Sequence, residues 1–308
     1  MPVRLLRRLV LPLALVFALG VAACGSDSGG GESSADAEKL LQEAFSNKIE
    51  SGKLSLDAEI QVDGVAQLDR AVELKLSGPF ADNGPGEVPS LDWDFSFSGA
   101  GQSIAAGATV TTDNAYVSFQ GADYEVGSAL FQQFAQAFKQ QSGGGEDTLS
   151  QLGIEPDKWI KEPKIDSEDE EVAGEETTRV TGEVDLLAVL EDVSKASDRM
   201  GTVGSAQNPF EDLSDADREK IEDAIEEASV EVYVSNDDET VRRFVLDLEF
   251  QIPEDERQDA GGAEGGSAKI DMELADVGEK QDISAPANPR PLAELLSRFG
   301  LGGELPIQ

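Results

Sequence analysis

The stretch "SVEVYVSNDDETVRRFVLDLEFQI", residues 229–252, decides the fold class of this chain. Apolar residues alternate with polar ones in both arms, and the polar turn "SNDDE" separates the arms. Alternation with a period of two is typical of a strand that buries one face. The stretch therefore predicts an antiparallel hairpin with one continuous apolar face. That face is formed by Val230, Val232, Val234, Phe244, Leu246, Leu248 and Phe250.

The same period of two recurs on both sides of this hairpin. Gly, Pro, Asn and Asp separate the segments, and such short connections favour antiparallel pairing with one apolar and one polar face. The segment 115–126 is itself predicted to be a hairpin around Gln120–Asp123. Strands are predicted over residues 53–62, 70–80, 90–99, 103–111, 115–126, 176–185 and 268–278.

Apolar residues at helical spacing predict helices at both ends of the chain and between the two groups of strands. The middle helices are predicted over 127–141, 186–197 and 208–228, with Ser214 capping the last one. A short helix and a loose tail are expected over 286–308. The face of the N-terminal helix is formed by Ala37, Leu40, Leu41, Ala44 and Phe45.

The run "SEDEEVAGEE", residues 167–176, is strongly acidic. It lacks the glycine and carboxylate spacing of a calcium-binding loop, so a solvated loop is the favoured interpretation over a cation site.

The order of strands, helices and strands predicts an α+β fold. We expect a strongly curved antiparallel β-sheet, a half-barrel, with helices covering its concave apolar face. No boundary between two cores is visible, so a single domain is predicted over residues 36–285.

The N-terminal segment predicts export and lipid attachment. Residues 1–23 carry three arginines followed by an apolar run that is short for a membrane span, which is the layout of a signal peptide. The segment ends in "VAAC", which resembles a bacterial lipobox with Cys24 as the acylated residue. Residues 24–35 form a Gly/Ser-rich linker that is expected to be flexible. The alternatives are an unmodified cysteine or an ordinary signal peptide cut nearby. The expected location is the extracytoplasmic face of the cell membrane.

Composition argues against several classes of function. The formal net charge is −38, which disfavours nucleic acid as a partner. The chain has no histidine and a single cysteine, so the commonest general base, thiol nucleophiles and thiolate metal sites are not expected. We therefore expect a non-enzymatic protein with no cofactor and no metal. A carboxylate-only glycosidase stays open as an enzymatic alternative, although nothing marks an acid pair in an aromatic sugar cleft.

Three stretches resemble segments of the actinobacterial LppX/LprG lipoprotein family. They are "NAYVSFQGADYEV" (residues 114–126), "VAGEETTRVTGEVD" (172–185) and "VEVYVSNDDETVRRFVLDL" (230–248). The lipobox and the linker match as well, and the resemblance spans most of residues 36–285. The chain departs from mycobacterial members in its acidic charge and in the segments 141–152 and 254–267.

The resemblance implies a fold similar to the carrier LolA, with helices forming a lid over an apolar cavity. It also implies binding of acylated lipids or glycolipids, transport of these lipids across the envelope, and an envelope lipid transporter as a partner. It brings no catalytic residues.

The residues themselves leave two interpretations of the apolar face. Ala106 and Ala108 are small for a strand on a curved sheet, which leaves volume for a ligand. Periodicity alone favours a dry, interdigitated core, and hence a structural or interaction lipoprotein accessory to a transporter. The resemblance favours a lipid cavity. The candidate lining residues are Leu56, Ile60, Leu74, Trp93, Phe95, Phe97, Ala106, Val117, Phe119, Phe134 and Phe138.

Overall fold

The computed structural model of the chain describes residues 32–65, 70–141, 155–199, 215–258 and 260–299. The predicted signal peptide, Cys24 and the segment 142–154 lie outside the described residues.

Strands dominate the described residues. The strands are β1 (Ser51–Asp63), β2 (Val72–Ala81), β3 (Ser90–Gly99), β4 (Gln102–Val110), β5 (Ala115–Phe119), β6 (Ala122–Glu125), β7 (Ile160–Val172), β8 (Glu175–Val184), β9 (Ile225–Ser235), β10 (Val241–Gln251), β11 (Gly265–Ala275) and β12 (Arg290–Pro291). The helices are α1 (Glu32–Ser46), α2 (Ser128–Gln141), α3 (Leu186–Arg199), α4 (Asp215–Ala224) and α5 (Leu292–Arg298), with a 3-10 helix at Pro156–Trp159.

All twelve strands form one sheet in the order β12-β6-β5-β4-β3-β2-β1-β11-β10-β9-β8-β7. The sheet is curved and does not close, and its neighbouring strands are antiparallel apart from the parallel pair β12–β6. The chain lays down β1 to β6 as one meander and β7 to β11 as a second. The last strand of the second meander, β11, then pairs with β1. The predicted α+β class with a large curved antiparallel sheet is confirmed.

Residues 229–252 form the predicted hairpin with a shared apolar face. Val232 pairs with Phe244, and Val230 pairs with Leu246. Since paired residues in an antiparallel ladder lie on the same face, the apolar residues of both arms stand together. Val230, Val232, Phe244 and Leu246 are all buried.

The acidic run was wrongly interpreted as a loop. Residues 167–172 belong to β7 and residues 175–176 to β8, with only Ala173 and Gly174 in the turn. β7 is the outermost strand of the sheet, and charged side chains are common on such edges because they discourage pairing with other chains. Arg179 on β8 pairs with Asp166 across the hairpin, which further stabilises the charged edge.

Three other boundaries also differ from the predictions. The first helix begins at Glu32, inside the segment assigned to the linker. The helix predicted over 208–228 ends at Ala224, because residues 225–228 enter β9, and Ser214 lies outside the described residues. The C-terminal segment is joined to the sheet through β12, so the part of it that is described is not a loose tail.

The main core lies between the helices and the strands β1 and β7–β11, which we call the covered half. From α1, Ala37, Leu41 and Ala44 are buried against this half. The 3-10 helix and α3 are joined by a hydrogen bond that the Trp159 indole Nε1 donates to the buried Asp192 Oδ2, at 2.9 Å. The helices thus cover about half of the apolar face.

The motifs that carry the family resemblance have structural roles. At Gly182, a Cβ atom would lie 2.6 Å from Ile160 Cγ2 and 2.9 Å from the Lys161 oxygen, so only glycine allows β7 to approach β8 this closely. Arg242 is buried, and its guanidinium donates to Glu175 Oε2 at 2.7 Å and to Asp238 Oδ2 at 2.9 Å. These residues hold the hairpins together.

A pair of hydrogen bonds on the polar face predicts a pH-dependent stability. Arg243 Nε and Nη2 donate to Asp271 Oδ1 and Oδ2 at 2.8 and 2.6 Å. These bonds lower the pKa of Asp271 and outweigh the opposite effect of its partial burial. We expect Asp271→Asn to reduce the free energy of unfolding by about 1 kcal/mol at pH 7. The difference should persist above the unfolded-state pKa of about 3.9 and disappear as the pH falls through the lower folded-state pKa.

Urea unfolding of the wild type and of Asp271→Asn, at neutral pH and at about pH 2, measures this difference in stability. Asp247→Asn is the control, because the Asp247–Lys269 pair is exposed and its closest N–O distance is 3.3 Å. An equal loss of stability at both pH values in Asp271→Asn would mean that packing, and not the carboxylate charge, is what the substitution removes.

Candidate functional site

The apolar face is continuous across eleven strands, from β7 to β6. Each strand contributes an apolar residue to the same register row, and neighbours in the row are paired in the ladder. The row contains Ile165, Val180, Val232, Phe244, Met272, Leu56, Leu76, Phe95, Ala106, Phe119 and Ala122.

The helices of the main core do not cover the apolar face of β3, β4 and β5. We call this part of the face the open half. Ile104 is 44% exposed, and Ala108 is exposed as well. No residue of this set reaches the burial of the core side chains in the covered half. The open half consists of Trp93, Phe95, Phe97, Ile104, Ala106, Ala108, Val117 and Phe119.

The small residues of β4 form the floor of a groove. Ala106 lies between Phe95 and Phe119 in the register, and Ala108 lies between Trp93 and Val117. Larger side chains on the two flanking strands therefore rise on either side of a low central strand. Because β5 flanks β4 only from Ala106 to Val110, five residues at about 3.3 Å each give this groove a length of roughly 16 Å.

Helix α2 borders one end of the open half. It begins just after β6, where the Gly127 N–H donates to Asn114 Oδ1 at 3.1 Å, and Lys139 in its last turn pairs with Glu87 in the β2–β3 connection at 2.6 Å. Phe131 is buried, but Phe134 is 56% exposed and contacts Phe138 at 6.3 Å between ring centroids. The helix is thus attached at its two ends and leaves part of its apolar side uncovered.

The C-terminal segment borders the opposite side. Residues Arg290 and Pro291 pair with Tyr124 and Glu125 of β6 in a parallel ladder, and α5 follows directly. The Phe299 ring meets the Phe119 ring edge-on at 5.7 Å, while 59% of Phe299 stays exposed. This segment therefore adds an aromatic wall to the open half.

Two polar atoms near the open half are buried without a hydrogen-bond partner, the Trp93 Nε1 and the Tyr124 hydroxyl. Both residues belong to the row Trp93–Ala108–Val117–Tyr124, since β4 pairs with β3 and β5, and β5 pairs with β6. Unsatisfied buried donors cost free energy, so they are rare in folded proteins. By contrast, the indole of Trp159 in the covered half has its acceptor, Asp192.

The candidate lining residues divide into three groups. Trp93, Phe95, Phe97, Ala106, Val117 and Phe119 lie together in the open half, where Trp93 also packs against Ile49, Leu54 and Leu274. Leu74 on β2 pairs with Phe97 but packs against the main core. Phe134 and Phe138 lie on α2.

Leu56 and Ile60 do not lie with the other candidates. Leu56 is 3% exposed and packs in the main core. Ile60 packs on a separate cluster formed by Val62, Ile252, Ala260 and Ala263. Periodicity places both residues on the apolar face but says nothing about which helices cover them.

The candidate lining set omitted Ile104, Ala108, Tyr124 and Phe299. Ile104 and Ala108 alternate with polar residues like their neighbours, so the strand pattern is a signal that finds them. Tyr124 alternates with polar residues in the predicted hairpin over 115–126, so the same signal finds it. Phe299 becomes part of the site only through β12, a two-residue strand that has no periodicity to detect.

Within the described ranges, no group of three or more His, Cys, Asp or Glu residues is arranged to hold a metal ion. No helix in the same part of the chain is long and apolar enough to span a membrane.

No protein-family model matches the sequence, and no curated protein matches it significantly. Among solved structures, the chain is similar to LprF from Mycobacterium bovis, with 12% sequence identity and a TM-score of 0.39. The match covers 82% of this chain and 98% of that one.

Proposed function

We propose that this protein binds acylated lipids, with their hydrocarbon chains lying on the open half. The observation that carries the proposal is an apolar face that continues beyond the helices that cover it, with the exposed Ile104 and Ala108 at its centre. Monomeric soluble proteins seldom leave a contiguous apolar surface of this kind without a binding role. The protein needs no chemistry for this task, so we propose no covalent catalysis.

An acyl chain fits the physical character of the site. Its methylenes need only apolar walls, and each one removed from water contributes about 0.8 kcal/mol. The groove along β4 has a small-residue floor at Ala106 and Ala108 and aromatic flanks at Phe95 and Phe119. Such a shape buries the chain from three sides, while α2 and Phe299 supply further apolar contacts at the borders.

The proposal includes attachment to a membrane through Cys24. A lipid-anchored protein on the extracytoplasmic face would receive its lipid at that membrane and shield the acyl chains in the aqueous envelope. In this scheme the ligand is an acylated lipid or glycolipid, the function is its transport, and the partner is an envelope lipid transporter. Processing at Cys24 is testable by mass spectrometry of the N-terminal peptide from an actinobacterial host.

Lipids with brominated acyl chains test the location of the ligand, since bromine quenches indole fluorescence only at short range. We expect these lipids to quench Trp93, which lies in the open half, and to leave Trp159 unquenched, because Trp159 is buried under α1 and α3. The non-acylated chain from residue 25 to residue 308 suits this experiment, as it keeps every described residue.

Two variants assign the signal. In Trp93→Phe, quenching should vanish although native mass spectrometry still detects bound lipid, whereas in Trp159→Phe the quenched fraction should rise. If gentle extraction yields no stoichiometric lipid and none binds afterwards, the lipid-binding proposal fails. In that case, a segment of protein covers the open half, as expected for a structural lipoprotein with a packed core.

A further inference from the structure

Two arginines at the β6 side of the open half have no acidic partner. Most described lysines and arginines form ion pairs, as expected in a chain with 62 acidic and 24 basic residues. Arg290 and Arg298 form none with any described residue, and both are exposed. Arg298 even leaves Glu294 unpaired, although Glu294 lies four residues earlier on α5, at the spacing that favours an ion pair.

Both arginines lie next to the Tyr124 side chain. The Arg298 Cζ lies 5.9 Å from the centroid of the Tyr124 ring, and Arg290 is the register partner of Tyr124 in the β12–β6 ladder. Tyr124 is 0% exposed, and its hydroxyl has no hydrogen-bond partner. A buried, unsatisfied hydroxyl near two unpaired cations is a set of donors that suits an anion.

We propose that Tyr124, Arg290 and Arg298 bind the anionic oxygen group of the acylated lipid, either a carboxylate or a phosphate. This inference rests on the proposed function and adds the head group to it. Guanidinium groups match the geometry of carboxylate and phosphate oxygens, and a phenol donates a short hydrogen bond to the same oxygens. In a strongly acidic protein, these two guanidinium groups are cations that no described carboxylate neutralises.

The position of the three residues orients the lipid. Tyr124 pairs with Val117, which belongs to the open half, and Val117 pairs with Ala108 on the groove floor. An anionic group held at β6 therefore places its acyl chains directly over β5, β4 and β3. The head group stays near solvent at the arginines, and the chains lie on the apolar strands.

Binding of three soluble probes to the non-acylated chain from residue 25 to residue 308 tests the proposal. The probes are dioctanoyl phosphatidic acid, decanoate and dioctanoylglycerol, and isothermal titration gives the affinities at low and high salt. We expect at least one anionic probe to bind about tenfold more tightly than the neutral diacylglycerol. The preference should shrink as salt is added, because the arginines are exposed. Whichever anionic probe is preferred identifies the head group as a phosphate or a carboxylate.

Matched variants assign the preference to these residues. The double variant Arg290→Gln/Arg298→Gln and the single variant Tyr124→Phe should each remove most of the preference, leaving diacylglycerol binding unchanged. Arg70→Gln removes another exposed arginine that has no ion pair with a described residue, and Tyr116→Phe removes a hydroxyl on the other face of β5. Both control variants should retain the preference for the anionic probe. Thermal unfolding checks folding, and Tyr124→Phe should melt no lower than the wild type, because the hydroxyl has no partner to lose.

Three outcomes overturn the inference. Equal wild-type affinity for charged and neutral probes would remove the head-group site while leaving lipid binding in place. An equal effect of Arg70→Gln and the double arginine variant would reduce the preference to overall charge. Failure of all three probes to bind would remove the head-group site together with the proposed function.

Discussion

Substitution of Ala108 by glutamate is expected to reduce acyl-lipid affinity more than about 100-fold and to leave the fold intact. Ala108 is exposed at the centre of the groove floor, so the free protein can keep the new carboxylate in water. A bound acyl chain would bury this charge with no partner, which costs several kcal/mol. We expect the free energy of unfolding to change by less than about 1 kcal/mol. Titration with a soluble acyl lipid and urea unfolding measure the two effects.

Two further glutamate substitutions are controls that distinguish loss of lipid binding from loss of stability. Ala105→Glu places the same charge on the opposite face of β4, where Ala105 is exposed, and should leave lipid binding unchanged. Ala268→Glu places it on the apolar face of the covered half, where the alanine is buried, and should destabilise the protein by about 4 kcal/mol or more. If Ala108→Glu destabilises the protein as much as Ala268→Glu does, the face at β4 is a packed core and no lipid site is present there.

Substitution of Gly78 by alanine is expected to cost about 4 kcal/mol of stability. Gly78 lies in β2 with φ of +143°, a conformation that side chains with a Cβ rarely adopt. An added Cβ would collide with the backbone oxygen of Asp92 and lie 3.0 Å from the Cα of Trp93. Both neighbours are backbone atoms of β3, so they can move only if the β2–β3 pairing moves with them.

Gly84→Ala separates the cost of the positive φ from the cost of the collision with β3. Gly84 also has a positive φ, +105°, but a Cβ there would meet nothing within 4 Å. We expect this variant to lose only the conformational part, about 1–2 kcal/mol, in the same urea unfolding measurement. A Gly78→Ala protein as stable as Gly84→Ala would show that β3 can shift away at no cost.

The sequence predicts the strands and their apolar face well, because a half-buried strand needs a period of two. The same pattern restricts the register, since a slip by one residue would turn every apolar side chain of a strand to the polar face. Val232 and Phe244 pair in one of the registers that keep both on the apolar face. Helix α1 is equally readable, and the residues predicted for its apolar face are those that pack on the core.

The candidate site is less readable, since an apolar strand face looks the same whether a helix or a ligand covers it. Leu56 and Ala106 occupy the same register row, yet Leu56 packs in the core and Ala106 lies on the open half. The difference arises from where α1 and α3 lie, which depends on contacts between distant parts of the chain. The strand β7 was missed for another reason, because its charges suit the edge of a sheet and resemble a solvated loop in sequence.

The two edges of the sheet also determine whether copies of this protein pair with each other at high concentration. β7 is a long edge strand, but three irregularities interrupt its ladder, and its C-terminal half carries Asp166, Glu168, Asp169, Glu170 and Glu171. At the other end, β12 is only two residues long, and Pro291 has no N–H to donate. Two copies that meet at their β7 edges repel each other, and two that meet at β12 find almost nothing to pair with. A wide sheet with an open apolar face can thus remain dispersed at high density, where an uncharged edge would nucleate aggregates.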